Sequence, residues 1–224
     1  MGLCDPHVHT SVSDGVHSPV AVVDHACRLP GLDLIAITDH DRLDGALEAA
    51  GYAAASGLAL RVIPGEEVTS LDGHVLGLFL HELVPPGLSA EDTIRAIHEQ
   101  RGVAVAAHPC RSTGVGSLAA TAPFDAVELL NGAPTPRARA ANRRAARLRL
   151  GGRTVTGGSD AHVREMVAAC ATAFPGSDPA DFREALLAGA TRPVRRRVSL
   201  VPYLRYAGAK VARHPSTLRE LWPG

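Results

Sequence analysis

Through the first 190 or so residues, short apolar and β-branched runs alternate with longer alanine- and leucine-rich segments. Short runs bounded by glycine, proline or aspartate read as buried strands, and the longer segments as helices with one apolar face. The pattern predicts strands over residues 2–6, 34–38, 60–64, 74–80, 103–107, 126–130 and 154–156. It predicts helices over 19–28, 43–55, 90–101, 136–150 and 179–188. Several helix starts are marked: Ser18-Pro19 and Asp178-Pro179 open two of them, and Ser89 caps a third. Alternating elements of this kind are βα units around a parallel sheet. Seven strands suit a closed barrel better than an open sheet, although periodicity leaves both open.

Composition narrows the class. With 224 residues, 46% of them hydrophobic, one substantial core can be buried, and no repeat or low-complexity linker divides the chain. A single domain over 1–224 is expected, with the barrel in about 1–190 and a closing segment in 191–224. The formal net charge is zero, so no global field draws in nucleic acid or an anionic membrane. Cys4, Cys27, Cys110 and Cys170 are widely spaced and read as reduced thiols of a cytoplasmic protein. No apolar run reaches membrane-spanning length, and no basic and apolar leader opens the chain. Lys210 is the only lysine.

The ionisable residues fall at the ends of the expected strands. His7 and His9 end the first, Asp39 and His40 the second, Glu67 the third, His108 the fifth, and Asp160 and His162 the seventh. Parallel strands in a barrel bring such ends to one rim. His7 and His9 stand at i and i+2, on one face of a strand, and Asp160 and His162 repeat that spacing with a carboxylate. With His74 added, these donors are too many for one tetrahedral zinc and include no closed cysteine set, so several ions sharing bridging carboxylates fit better.

Asp5-Pro6-His7-Val8-His9-Thr10, Ser13-Asp14-Gly15, Ile37-Thr38-Asp39-His40-Asp41, Pro64-Gly65-Glu66-Glu67, Gly73-His74-Val75-Leu76-Gly77, Ala107-His108-Pro109 and Gly158-Ser159-Asp160-Ala161-His162 follow in that order. This series resembles the motifs of the PHP (polymerase and histidinol phosphatase) family. The resemblance implies an α/β fold, a distorted seven-stranded (β/α) barrel of TIM-like form. It also implies two to three divalent ions, manganese, iron or zinc, in a trinuclear site. By the same resemblance His7, His9, Glu67 and Asp160 would hold one ion, Glu67, His74 and His108 a second, and Asp14, His40 and His162 a third. Glu67 is preferred to Glu66 because the family reads Gly-x-Glu here. Asp39 is expected to orient a ligand.

A site of this kind would hydrolyse a phosphomonoester, or a cyclic phosphate or diester, with metal-activated hydroxide and no protein nucleophile. Ser11, Ser13 and Ser159 are therefore read as turn-shaping or ligand-bonding residues. Arg111, three residues after His108, is a candidate phosphate clamp, with pairing to a nearby carboxylate as the competing role. Glu128 and Asn131 end the sixth strand at the rim and are assigned no catalytic role. The expected partner is a small phosphorylated substrate, a small molecule or a nucleotide, with nucleic acid less favoured and no membrane. The rival enzyme readings are a TatD-like or exonuclease-type hydrolase of nucleic acid and an amidohydrolase. The sole lysine lies beyond every motif, which disfavours the amidohydrolase type that carboxylates a lysine. A non-catalytic PHP-like binding module would show lost ligands, and none is lost.

Two arginine-rich stretches complete the reading. Arg137, Arg139, Arg143, Arg144, Arg147, Arg149 and Arg153 lie on or beside the helix expected over 136–150, most simply as a solvated outer face. In the tail, Arg195-Arg196-Arg197 precedes Val198, Leu200, Val201, Tyr203, Leu204, Tyr206 and Val211. A strand and a helix closing the bottom or flank of the barrel are expected there, in preference to a membrane-docking segment.

Overall fold

The computed structural model describes residues 1–199 and 201–213. The chain runs β1 (Gly2–Val8), α1 (Pro19–Ala26), β2 (Leu34–Ile37), α2 (Asp44–Ala55), β3 (Arg61–Ser70), β4 (Gly73–Leu78), α3 (Ala90–Glu99), β5 (Val103–Ala106) and a one-turn α4 (Leu118–Thr121). It continues through β6 (Ala126–Asn131), α5 (Pro136–Ala145), β7 (Thr154–Gly158), a 3-10 turn (Arg164–Met166), β8 (Cys170–Phe174), α6 (Pro179–Ala188), β9 (Arg192–Arg195) and α7 (Val201–Arg213). The capping signals act as the sequence suggests. Ser18, Ser89 and Thr135 side chains accept from the backbone of their first turns, and Asp178 and Asp181 form a reciprocal capping box.

The strands form one sheet in the order β7-β6-β5-β4-β3-β2-β1-β8-β9. It curls into a nearly closed barrel. The segment after β7 returns to β1, with Asp160 N donating to His7 O at 2.9 Å and His9 N to Ala161 O at 3.0 Å. Below that seam, Gly157 N donates to Thr172 Oγ1 at 3.0 Å, and the same hydroxyl donates to Gly157 O at 2.8 Å, linking β7 to β8.

Along the strands, neighbouring residues alternate between two apolar clusters. Ile35 and Ile37 of β2 pack with Val22, Val23, Ala46 and Ala49 of the outer helices. Leu34 and Ala36 face Ile63, Leu76, Leu78, Val103, Val105 and Ala126 inside the barrel. Phe182 and Leu186 of α6, with Phe174, join the inner cluster. Phe174 pairs with Gly2 at the start of β1, so α6 closes the end opposite the site.

The class is the α/β barrel read from the sequence, with nine strands in place of seven. Two of the differences have clear causes. β8, Cys-Ala-Thr-Ala-Phe, contains only one β-branched residue, and it is a strand because it pairs with β1 on one side and β9 on the other. β4 is antiparallel to both neighbours rather than parallel, because Ser70 pairs with Gly73 across a two-residue turn, and such a hairpin can only reverse the chain.

The tail follows the same logic. β8 runs antiparallel to β1 and β9 antiparallel to β8, so β9 runs in the direction of β1 and delivers the chain to the rim. β9 extends the flank of the sheet, while α7, expected at the bottom or flank, instead turns over the site. Leu200 and residues 214–224, His214 among them, lie outside the described residues. No helix among the described residues is long and apolar enough to cross a membrane, and all four cysteines are free.

Candidate metal centre

β1, β2, β3, β5, β6 and β7 all end at one rim, and β4 begins there because it is reversed. His74 opens its strand rather than ending it, so the hairpin is what carries it to the rim with the rest. Two register shifts then set the phase of the site. β1 is irregular between Asp5 and Val8, and β6 between Glu128 and Leu130. In a regular strand residues three apart face opposite ways, but the shift in β6 lets Glu128 and Asn131 meet, Asn131 Nδ2 donating to Glu128 Oε2 at 2.9 Å.

Glu67 stands at the centre and is fully buried. Its Oε2 lies 3.2 Å from His7 Nε2, 3.2 Å from His9 Nε2 and 3.5 Å from His40 Nε2. Its Oε1 lies 2.8 Å from His74 Nδ1 and 2.9 Å from His108 Nε2. Asp160 Oδ1 faces the same space, 3.3 Å from His9 Nε2 and 3.6 Å from His7 Nε2. Asp14 Oδ2 is 3.0 Å from His162 Nε2. Three groups of donor atoms are each compact enough to surround an ion: His7, His9, Glu67 and Asp160; His40, Glu67 and His74; and His9, Asp14, His40 and His162. Eight of the nine residues expected as ligands fall in these groups, with His9, His40 and Glu67 shared between them; His40 stands with Glu67 and His74 where His108 was expected, and His108 joins the cluster through its contact with Glu67 Oε1.

The donors suit cations. His7 Nε2 and His9 Nε2 face each other at 3.1 Å, an approach that two imidazoles tolerate only with a proton or a cation between them or beside them. His9 Nδ1 and His108 Nδ1 are buried without a hydrogen-bond partner. Hard carboxylate oxygens mixed with imidazole nitrogens suit divalent metal ions, and no thiolate is in the groups.

Several known proteins resemble this chain in sequence or in fold. A two-domain protein from Bacteroides vulgatus, containing a predicted PHP-like metal-dependent phosphoesterase, superposes over 87% of this chain and 64% of its own with a TM-score of 0.68, at 22% identity. The family model described as PHP-associated matches residues 139–191. A 5'-3' exoribonuclease of Haemophilus influenzae is 32% identical over 105 residues, which are 45% of this chain but only 37% of that enzyme. The uncharacterized protein MJ1587 of Methanocaldococcus jannaschii is 35% identical over 125 residues, spanning 49% of this chain and 71% of the relative. The chain belongs to the PHP family.

In this PHP protein the electrostatics of the cluster follow from burial set against pairing. Burial disfavours the charged forms of His7 and His9, yet Glu128, Glu67 and Asp160 lift His7 well above the usual imidazole range. Bonds to Asp160 and Glu67 raise His9 to about 10. Burial also opposes ionisation of Glu67 and Asp160, and the facing imidazoles, with Arg111 beside Asp160, overcome it and hold both well below the usual carboxylate range. His40 is lowered, chiefly by burial. At His7 and His9, protons therefore compete with metal ions for the ring nitrogens.

The remaining expected residues take definite places. Asp39 is buried and accepts from Thr10 N (2.7 Å), Thr10 Oγ1 (2.7 Å) and Ser13 Oγ (2.6 Å), so it fixes the loop carrying Asp14 rather than gripping a ligand side chain. Ser159 Oγ donates to His7 O at 3.2 Å, and Ser13 is held by Asp39, so neither hydroxyl is presented as a nucleophile. Arg111 Nη1 lies 2.5 Å from Asp160 Oδ2, at the edge of the pocket. Glu66 points away from the site, as strand alternation requires, and accepts from Val84 N at 3.0 Å.

Two PHP-site contributors had no role assigned from sequence. Glu128 Oε1 contacts His7 Nδ1 at 2.9 Å, and its Oε2 accepts from His108 N at 3.0 Å. Asp5 accepts from Ser159 N (2.9 Å) and Ala168 N (2.7 Å), tying β1 to the loop that carries Asp160. The place of Glu128 at a strand end is legible in the sequence, while its contact with His7 is not; Asp5 is visible only as part of the motif. Gly158 admits the His7–Glu128 pair, since a Cβ there would stand 2.5 Å from Glu128 Oε1 and 2.6 Å from His7 Cβ. His108 and Asp160 sit at φ 26° and 53°, strained values for residues with side chains, and no local sequence feature announces them.

Proposed function

We propose that the protein is a metal-dependent phosphoesterase that hydrolyses a phosphomonoester of a small molecule or nucleotide. The observation that carries this reading is the division of Glu67, one oxygen toward His7, His9 and His40 and the other toward His74 and His108, which suits a carboxylate shared by adjacent ions. His7, His9, Glu67 and Asp160 would hold one ion, His74 and His108 with Glu67 a second, and Asp14, His40 and His162 a third. When bound, such ions supply Lewis acidity, acidifying a water and neutralising the phosphoryl oxygens. The chain supplies the rest. Glu128 fixes the tautomer and plane of His7, Asp39 sets the loop of Asp14, and Arg111 places a guanidinium beside Asp160 where a phosphate oxygen can exchange for the carboxylate. No serine at the rim is needed as a nucleophile.

A second reading, cleavage of a nucleic-acid end, is favoured by α5. Arg137, Arg139, Arg143 and Arg144 are exposed on it, and Arg144 Nη2 donates to Cys110 O at 2.8 Å, next to Arg111. No acidic side chain among the described residues forms an ion pair with these four arginines. Zero net charge weighs against it as the main activity. The test is hydrolysis under manganese of an aryl phosphate, nucleoside and sugar phosphates, and short RNA and DNA at two salt concentrations. Preference for mononucleotides, with weak salt dependence, supports the first reading. Preference for oligonucleotides, with affinity falling steeply as salt rises, supports the second.

A further inference from the structure

α7 stands beside the donor cluster. α7 packs beside the Arg164–Met166 turn, and its Tyr206 ring lies 6.0 Å from the imidazole of His162, tilted by 32°. Tyr206 Oη donates to Asp14 O at 3.5 Å, so this ring is anchored to the loop of one candidate ligand and faces another. Tyr203 lies one turn earlier, 6.2 Å from Tyr206, and both rings are half-buried against the outer core. Tyr203 also senses the Asp160–Arg111 pair. Burial contributes most to lifting its pKa, Asp160 raises it further and Arg111 lowers it, the net value being pushed up to about 12. The phenol therefore stays neutral and lies within electrostatic reach of the pocket edge. Tyr206 borders the donor cluster at His162 with Tyr203 next to it, and Arg111 borders the cluster near Asp160.

We infer that Tyr203 and Tyr206 form a subsite for a flat ring on the leaving group, so that the substrate class is a nucleoside monophosphate rather than a sugar or amino-alcohol phosphate. The subsite rests on the phosphoesterase reading for its catalytic meaning, but its binding chemistry can be measured without turnover. A phosphate held among the ions and Arg111 leaves its ester group pointing outward, and α7 is an element at that mouth which offers π-faces at helical spacing. Stacking on an aromatic side chain tolerates any base, so the subsite would select for a ring and not for one nucleobase. The two arginine-bearing elements, α5 and the Cys110–Arg111 loop, would handle phosphate, and α7 the base.

The experiment uses the full chain loaded with manganese and compares wild type with Tyr203→Leu, Tyr206→Leu and the corresponding Phe variants, each checked for fold by circular dichroism. The readout is the ratio of kcat/KM for a nucleoside 5'-monophosphate to that for glycerol phosphate. Leucine should lower this ratio about tenfold, mainly through KM of the nucleotide, and phenylalanine should restore most of it. Equal losses on both substrates, or an unchanged ratio, would overturn the subsite and reduce α7 to a packing helix. If wild type hydrolyses neither compound, the phosphoesterase reading fails on its own, and equilibrium binding of the nucleotide against inorganic phosphate decides the subsite. Selective weakening of nucleotide binding in the leucine variants then supports it, and parallel weakening or none overturns it.

Discussion

Glu128 holds His7 from behind. Its Oε1 stands 2.9 Å from His7 Nδ1, which turns the opposite nitrogen, Nε2, toward Glu67 and Asp160. An imidazole whose Nδ1 proton is committed to a carboxylate presents Nε2 as a lone pair, the form a metal requires. Glu128→Ala should therefore weaken metal binding by roughly 10–100-fold. Titration of the chelated protein with manganese or zinc by calorimetry checks this. Affinity equal to wild type would make Glu128 a packing residue.

The ligand set itself makes a broader prediction. Purified protein should carry more than one equivalent of transition metal, and chelation should abolish hydrolysis of an aryl phosphate, with manganese restoring it best. His9→Ala or Asp160→Ala should lose metal while keeping the circular dichroism of the fold, because the inner apolar cluster and α6 lie apart from the rim. Elemental analysis with a parallel activity assay measures both. A folded, active, metal-free protein would sink the reading.

Much of this was legible from residue order alone, and the exceptions are instructive. Strand ends announced His7, His9, His40, Glu67, His108, Asp160 and His162, because a chemistry-bearing residue interrupting an apolar run has few structural reasons to be there. The barrel class followed from alternation of element types. β8 escaped notice because only Thr172 and Phe174 of its five residues favour strands, and pairing with β1 and β9 is what makes it one. The reversal of β4 and the register shifts in β1 and β6 are properties of pairing, which single-strand periodicity does not encode. The position of α7 depends on the direction of β9, and that in turn depends on the undetected β8. One missed strand thus concealed the tyrosines at the rim.

Arg111 offers a test of its two roles. Its contact with Asp160 Oδ2 neutralises a carboxylate whose other oxygen faces His7 and His9. If a substrate phosphate takes over this guanidinium, Arg111→Ala should raise KM by about tenfold, a charge-assisted bond less the pairing it replaces, and kcat should fall too if the contact tightens in the transition state. Steady-state kinetics on the best phosphoester, with metal content measured beside them, separate the outcomes. Unchanged kinetics would leave Arg111 as a partner of Asp160 only.

Glu66 allows a prediction about pH that is independent of catalysis. It is fully buried, its Oε1 has no partner, and its Oε2 accepts a single bond from Val84 N. Burial pushes its carboxyl from 4.5 up to about 7, partly opposed by the Val84 bond and assisted by Asp41. Because the fold disfavours the ionised form, the unfolded chain releases this proton first as pH rises. Between pH 4.5 and about 7 the native state therefore binds more protons, and stability falls with increasing pH by an amount on the order of 3 kcal/mol for this one group. Glu66→Gln keeps an oxygen for Val84 N and cannot ionise. Any fixed cost of its amide is the same at every pH, so the informative quantity is the slope. The stability of Glu66→Gln relative to wild type should improve by about 2–3 kcal/mol from pH 4.5 to pH 8, with most of the change complete just above pH 7. Urea denaturation of both proteins in the same metal state across that range measures it, and parallel curves would show that Glu66 ionises as freely in the fold as in the unfolded chain.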